Sequence, residues 1–354
     1  MRLINTTSRK LEDFRGNRVP RYAILSHTWG DDEVTFEDMQ DEAEASSKAS
    51  YAKIRESCRL SREYSLDYVW IDTCCIDKSS SAELSEAINS MFTWYRDSVI
   101  CYAYLADVNG NGPFSTENFT KSRWLTRGWT LQELLAPTEL DFYDSSWTKF
   151  DSRMGASAQI SAATGIDETY LKRQPDEQLG EMLSHASIAE RMCWASGRET
   201  RDEEDVAYCL LGIFAINMPL LYGEGKRAFR RLQEEIVKHS DDQSLFAWGS
   251  RSLSSRRGAP GIEFVNEYHS PGRDKLSGFL ATSPSDFAKC GDLVPFPTGF
   301  RRSVFSITNK GMHITLPMFG HHALLECNPK DDPTTLTTWI IKRGISGRGG
   351  LSTL

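Results

Sequence analysis

Short apolar runs recur along the first 150 residues, each cut off by polar or turn residues. Tyr22-Ala23-Ile24-Leu25 reads as a buried strand, and residues 22–27 stop on the cluster Ser26, His27, Thr28, Trp29 and Gly30. "YVWIDTCCID" (68–77) is a second strand, with no polar alternation at its start, as a parallel strand covered on both faces requires. "VICYAYL" (99–105) is a third and "ELDFYD" (139–144) a fourth. The intervening segments carry the helical period instead. Residues 50–64 space Ile54, Cys58 and Leu60 among charges, and residues 79–98 repeat Leu84, Ile88, Met91 and Tyr95, with Ser80 and Glu83 spaced as a capping box. "WTLQELLA" is a short helix stopped by Pro137. Strands alternating with helices predict an α/β fold: a parallel sheet over residues 20–150 with helices on both faces.

After residue 150 the pattern changes. Residues 155–240 look mostly helical, and "GEGKRAFRRLQEEIVKH" is an amphipathic helix within them. Beyond that, "VFSITN" (304–309), "HITLPM" (313–318) and "HALLEC" (322–327) are spaced like a β-meander, and the glycine-rich end is expected to fray. The expected organisation is an α/β core over 1–150, a helical part over 151–244 and a β-rich region over 245–354.

Composition narrows the function classes. A net charge of −8, from 41 basic and 49 acidic residues, argues against an electrostatic nucleic-acid binder. No apolar run approaches a membrane span, and "MRLINTTSRK" has no secretory h-region. The eight cysteines show no C-x-x-C pair and read as reduced core thiols of a cytoplasmic protein.

In open parallel sheets, ligands sit beyond the carboxyl ends of the strands. Ser26, His27 and Trp29 end the first strand and Asp72 ends the second, so these four residues are candidates for one cleft wall. The bland reading is that His27 and Asp72 satisfy each other. "SRWLTRGWTLQEL" (122–134) adds Arg123, Trp124, Arg127, Trp129 and Glu133. Guanidiniums for phosphates, indoles for a flat ring and a carboxylate for a sugar together suit a nucleotide. Here too a bland reading stands: Thr130 to Glu133 is spaced as a capping box, and the tryptophans fit a core. "LYGEGKRAF" fails as a P-loop, since Leu220 stands at the first glycine and Arg227 follows Lys226. No metal-ligand spacing occurs around His321 and His322. A nucleophile pair of Cys75 and His27 lacks a legible oxyanion device.

"YAILSHTWGDDEVTFEDM", "YVWIDTCCIDKSSSAELSEAINSMFTWYRDSVICYAYLADV", "SRWLTRGWTLQELLAP" and "DVAYCLLGIFAINMPLLYGEGKRAFRRLQEEI" together resemble the heterokaryon-incompatibility (HET) domain of filamentous fungi, over residues 20–240. The β-rich segment resembles a C-terminal region that accompanies HET domains in one fungal subgroup. The resemblance implies a role in non-self recognition and programmed cell death. HET domains in turn are similar to TIR domains, which implies a flavodoxin-like/TIR-like sheet that either scaffolds signalling or cleaves NAD. Against the W-C-x-x-E-L stretch of plant-type TIR domains, "WTLQEL" aligns Trp129 and Glu133, with Thr130 in the cysteine's place.

The resemblance therefore implies Glu133 as the catalytic carboxylate of an NAD glycohydrolase. With NAD as the implied substrate and no cofactor or metal implied, the residues picked out above by type and position, Ser26, His27, Trp29, Asp72, Arg123, Arg127 and Trp129, are the expected substrate-binding residues. Activation by self-association, triggered by an unidentified non-self protein, is the implied control. The turn-rich segment 106–121 beside the cleft is the part expected to order. The alternative is a non-enzymatic death-signalling module working through self-association.

Overall fold

The computed structural model describes residues 1–109, 116–174, 177–249, 251–253, 279–296, 305–309, 311–319, 322–332 and 336–340. Residues 110–115 of the turn-rich segment, Val304, His321 and the glycine-rich end lie outside the described residues.

The chain divides into two compact units. The first comprises Met1–Met182, Arg198–Arg201 and Tyr208–Leu220. Among its described residues a mixed sheet has seven strands: β1 (Arg2–Asn5), β2 (Leu11–Asp13), β3 (Tyr22–His27), β4 (Tyr68–Trp70), β5 (Ile100–Tyr104), β6 (Leu140–Tyr143) and β7 (Lys149–Ser152). Their order is β2-β1-β4-β3-β5-β6-β7. The central pairs β3–β4, β3–β5 and β5–β6 are parallel. The edge pairs β1–β2, β1–β4 and β6–β7 are antiparallel, so the sheet is not the all-parallel one expected. Residues 2–13 add an edge hairpin and residues 149–152 the other edge.

The helices of this unit include the two expected from their amphipathic periods, over residues 51–63 and 81–97. They begin with α1 (Glu42–Ser47), α2 (Tyr51–Glu63), α3 (Asp72–Cys75) and α4 (Ser81–Asp97). Then come α5 (Thr116–Thr120), α6 (Arg123–Thr126), α7 (Thr130–Leu135), α8 (Ser157–Thr164) and α9 (Glu168–Leu171). Ser80 caps α4 by accepting from the Glu83 N–H. The Glu83 carboxylate does not complete the box; it binds the Arg2 guanidinium, at 2.5 and 2.7 Å, and the Asp77 N–H.

All six residues of β3 are buried, so both faces of this strand are covered. From β3 the chain reaches β4 on one side through α2, then crosses by α4 to β5 on the other. A strand whose neighbours lie on opposite sides of it in this way leaves a crevice at its carboxyl end.

"YVWIDTCCID" is not one strand. β4 stops at Trp70, and α3 begins at Asp72, with the Cys75 N–H bonded to the Ile71 carbonyl at 2.9 Å. Both elements are buried, so the apolar run continues across the change and hides it. Cys74 and Cys75 accordingly lie on a helical turn rather than alternating along a strand. The apolar "EDVAYCLLGIFAIN" forms a single helical turn at 205–208 followed by turns.

The second unit comprises Leu183–Gly197, Asp202–Ala207 and Leu221–Leu354. Helix α10 (Leu179–His185) precedes α11 (Ile188–Ala195), α12 (Asp205–Tyr208) and α13 (Arg227–His239). The first N–H groups of α11 are met by the side chains of Asp242 and Ser244, at 2.8 and 3.0 Å. Buried Gln233 on α13 both donates to and accepts from Ala281.

The later strands are β8 (Arg251–Leu253), β9 (Leu293–Pro295), β10 (Phe305–Thr308), β11 (Gly311–Ile314), β12 (Met318–Phe319), β13 (His322–Leu324), β14 (Cys327–Pro329) and β15 (Leu336–Ile340). They pair as the hairpin β10–β11, the sheet β12-β13-β15-β8 and the pair β14–β9. Among the described residues no helix is long and apolar enough to cross a membrane.

Candidate functional site

Ser26 and His27 end the central strand β3, and both are buried. Successive strand residues point to opposite faces, so the two side chains leave the strand in different directions. Each meets a carboxylate. Ser26 Oγ donates to Glu133 Oε2 at 2.5 Å and accepts from Trp124 Nε1 at 2.7 Å. His27 Nε2 lies 3.1 Å from Asp72 Oδ1, and Trp29 Nε1 donates to Asp72 Oδ2 at 2.8 Å.

The Glu133 side is built from one short buried helix. All six residues of α7 are buried, and Pro137 ends it. The capping box expected from Thr130 does not form: Trp129 is the N-cap residue, with no side-chain cap bond. Instead the Thr130 hydroxyl lies 2.5 Å from the Trp124 carbonyl and 2.9 Å from that of Arg127. It also accepts from Arg198 Nη1 at 3.1 Å. A Cβ on Gly128 would stand 2.5 Å from Thr200 Cγ2. Glycine is thus what lets residues 199–200 lie against this turn and bring Arg198 to it.

At the other end of α7, buried Arg153 collects the carbonyls that the helix leaves free. Its guanidinium donates to Leu134 at 3.0 Å, Pro137 at 2.7 Å and Thr138 at 2.8 Å. Glu133 takes no part in either cap, and its carboxyl accepts from Ser26 on β3.

The Asp72 side sits one strand away. Asp72 opens α3, where a negative charge suits the helix N-terminus. The His27 side chain is 1% exposed and that of Asp72 20%. With its Nε2–H on Asp72, His27 leaves Nδ1 buried without a hydrogen-bond partner among the described residues. Trp29 is 43% exposed, and Lys78 Nζ stands 3.4 Å from its ring centroid.

The two acids are driven apart. Burial dominates at Glu133 and pushes its carboxyl up to about 8, with the Asp72 charge acting in the same direction. The hydrogen bond from Ser26 and the charge of Arg127 oppose this without reversing it. Burial would also raise Asp72, but hydrogen bonding and charge from His27, then Lys78 and the Trp29 N–H, hold it at about 2. Such a separated pair offers one protonated and one ionised carboxyl at neutral pH.

The remaining expected residues lie at different depths. Arg127 is half-buried and near enough for its charge to act on Glu133. Trp129 is half-buried at the α7 N-cap. Arg123 is exposed; its backbone N–H donates to Asp107 Oδ2 at 2.8 Å, and no contact described joins its guanidinium to the cluster. Trp124, expected to offer its ring to a flat ligand, is buried and donates its indole N–H to Ser26, while Tyr95, Lys78 and Arg198 were not among the expected site residues. Buried Tyr95 hydrogen-bonds the Leu25 carbonyl at 3.0 Å and lies close enough to Glu133 for the two to shift each other. Its helical period marked it as core, and no local pattern pointed to Lys78 or Arg198. Among the described residues no cluster of three or more His, Cys, Asp or Glu has the arrangement of a metal site.

Fold and geometry define an α/β domain whose central parallel strand ends between two carboxyl groups of opposite protonation. The model of the heterokaryon incompatibility protein (HET) family matches residues 22–118, and a domain of unknown function, DUF8212, matches residues 227–337. The chain belongs to the HET family. Over 246 residues it is 45% identical to the vegetative incompatibility protein HET-E-1 of Podospora anserina, covering 67% of this chain. It spans 17% of that protein's length. No solved structure matches the chain.

Proposed function

We propose that this protein acts in heterokaryon incompatibility, as the name of its relative suggests, and that its α/β unit hydrolyses NAD to nicotinamide and ADP-ribose. The observation that carries the reading is the Glu133 carboxyl. It is freed from helix capping, fixed by Ser26 and buried at the carboxyl end of the central strand. The strand order of the parallel core, β4-β3-β5-β6, is the 2-1-3-4 order of a flavodoxin-like or TIR-like sheet, and such sheets bind nucleotides at this crevice.

In the reaction, the bond between ribose C1′ and the nicotinamide nitrogen breaks, and its electron pair leaves with nicotinamide as a neutral base. Water adds to C1′ and releases a proton. Positive charge accumulates on the ribose in the transition state, as in glycoside hydrolysis. An ionised Glu133 beside the ribose stabilises that charge. Burial disfavours the ionised form; the pyridinium charge of NAD beside it favours it. Ser26 and Trp124 hold the carboxyl in place, and Arg127 serves the pyrophosphate. Trp29, Trp129, His27 and Asp72 complete the binding wall, while Arg123 at the surface would need to swing inward to contribute. The test is release of nicotinamide from NAD by the purified chain, measured by chromatography. Release that is lost in Glu133→Gln supports the reading. Its absence in wild-type protein at high concentration favours a non-enzymatic, self-associating module.

A further inference from the structure

The geometry points to a built-in organic-cation slot, formed by the Trp29 ring and the Asp72 carboxylate and occupied in the resting protein by Lys78. The Trp29 indole is anchored at its edge by its own N–H on Asp72 Oδ2, at 2.8 Å. The other Asp72 oxygen is taken by His27. The carboxylate is thus fixed at both oxygens, and the indole cannot rotate without giving up its hydrogen bond. A face of this anchored ring carries the Lys78 ammonium, 3.4 Å from the centroid.

An aromatic face beside a fixed carboxylate is the arrangement that selects flat or bulky cations. Lys78 is an exposed side chain on a flexible stem, so it is an occupant that a better-fitting cation displaces. In NAD the cation is the pyridinium of the nicotinamide half. Assigning that group to the slot rests on the proposed NAD hydrolysis; the slot itself does not. Lys78 would then act as a competing charge that weakens substrate capture until displaced.

The test uses 1-methylnicotinamide, a pyridinium that carries no ribose, with neutral nicotinamide as control. The chain has nine tryptophans, so the Trp29 indole N–H resonance of nitrogen-15-labelled protein is assigned by its loss in Trp29→Phe. The slot predicts that 1-methylnicotinamide shifts this resonance saturably and that nicotinamide binds more weakly. Lys78→Met should tighten the cation about tenfold without tightening nicotinamide, while Lys78→Arg should stay near wild type. Equal affinities for cation and neutral ring, an unmoved Trp29 resonance, or no change in Lys78→Met would each overturn the slot. Turnover does not enter this readout. Cation binding without NAD cleavage would keep the slot and remove the hydrolysis. NAD cleavage with Lys78→Met unchanged would do the reverse.

Discussion

Glu133 and Asp72 end up near the same strand terminus with opposite protonation. Glu133 is 7% exposed and has one short hydrogen bond from a neutral alcohol. Asp72 receives an imidazole, an indole N–H and the field of a nearby ammonium. Burial acts upward on both, so it does not distinguish them. The partners decide: cationic and N–H donors overcome desolvation at Asp72, while the Ser26 and Tyr95 hydroxyls and the more distant Arg127 charge do not at Glu133. The first acid is therefore a proton reservoir and the second a permanent charge.

The comparison can be broken by removing either acid. The largest effect is expected from Glu133→Gln on stability. Between pH 4.5 and about 8 the folded protein holds a proton on Glu133 that the unfolded chain releases. Wild-type stability should therefore fall as pH rises through that window. The glutamine keeps the Ser26 contact and carries no such penalty. Its advantage over wild type should be absent near pH 4 and reach roughly 4–5 kcal/mol by pH 9, an upper figure from the size of the shift. Urea unfolding at the two pH values measures it.

Asp72→Asn should do the opposite. Its depressed ionisation contributes stability above pH 4 that is lost as pH falls toward 2. The variant should lose roughly 2 kcal/mol at pH 7, with the deficit closing near pH 2 in the same unfolding experiment. Ser26→Ala sharpens the comparison from the other side. It strips the Trp124 indole of its acceptor and Glu133 of its donor, costing about 1.5 kcal/mol at pH 7. It should also push Glu133 further up, seen as a later midpoint when the carboxyl carbon is titrated by NMR. The smallest change is expected from Thr130→Val, about 1 kcal/mol by thermal unfolding, because the hydroxyl serves neighbouring carbonyls and no helix cap.

The central strands were legible because β3, β5 and β6 are compact apolar runs bounded by polar residues. Their order was not, since nothing local says which way a crossover turns. The edge strands escaped notice for a different reason. "RLIN", "LED" and "KFDS" are three or four residues long and half polar, as edges are, so they carry almost no periodic signal. Ser26, His27 and Asp72 were readable as polar residues closing apolar runs. What Glu133 does was not: a threonine three residues before a glutamate reads as a cap. The alternative use of both side chains depends on Trp124, Arg127 and Arg198, brought there by the fold. Lys78 lay in a turn whose only local signal was its polarity.

The most direct test of the account is the pH dependence of kcat/KM for NAD in the wild-type chain beside Glu133→Gln. If the ionised Glu133 acts in catalysis, kcat/KM should rise with pH and level off above an apparent pKa near 8. The glutamine variant should then fall at least about a hundredfold below wild type on that plateau. A wild-type profile flat from pH 6 to 9, or a variant that turns over NAD as fast as wild type, would contradict the account and leave Glu133 as a buried acid without a role in the reaction.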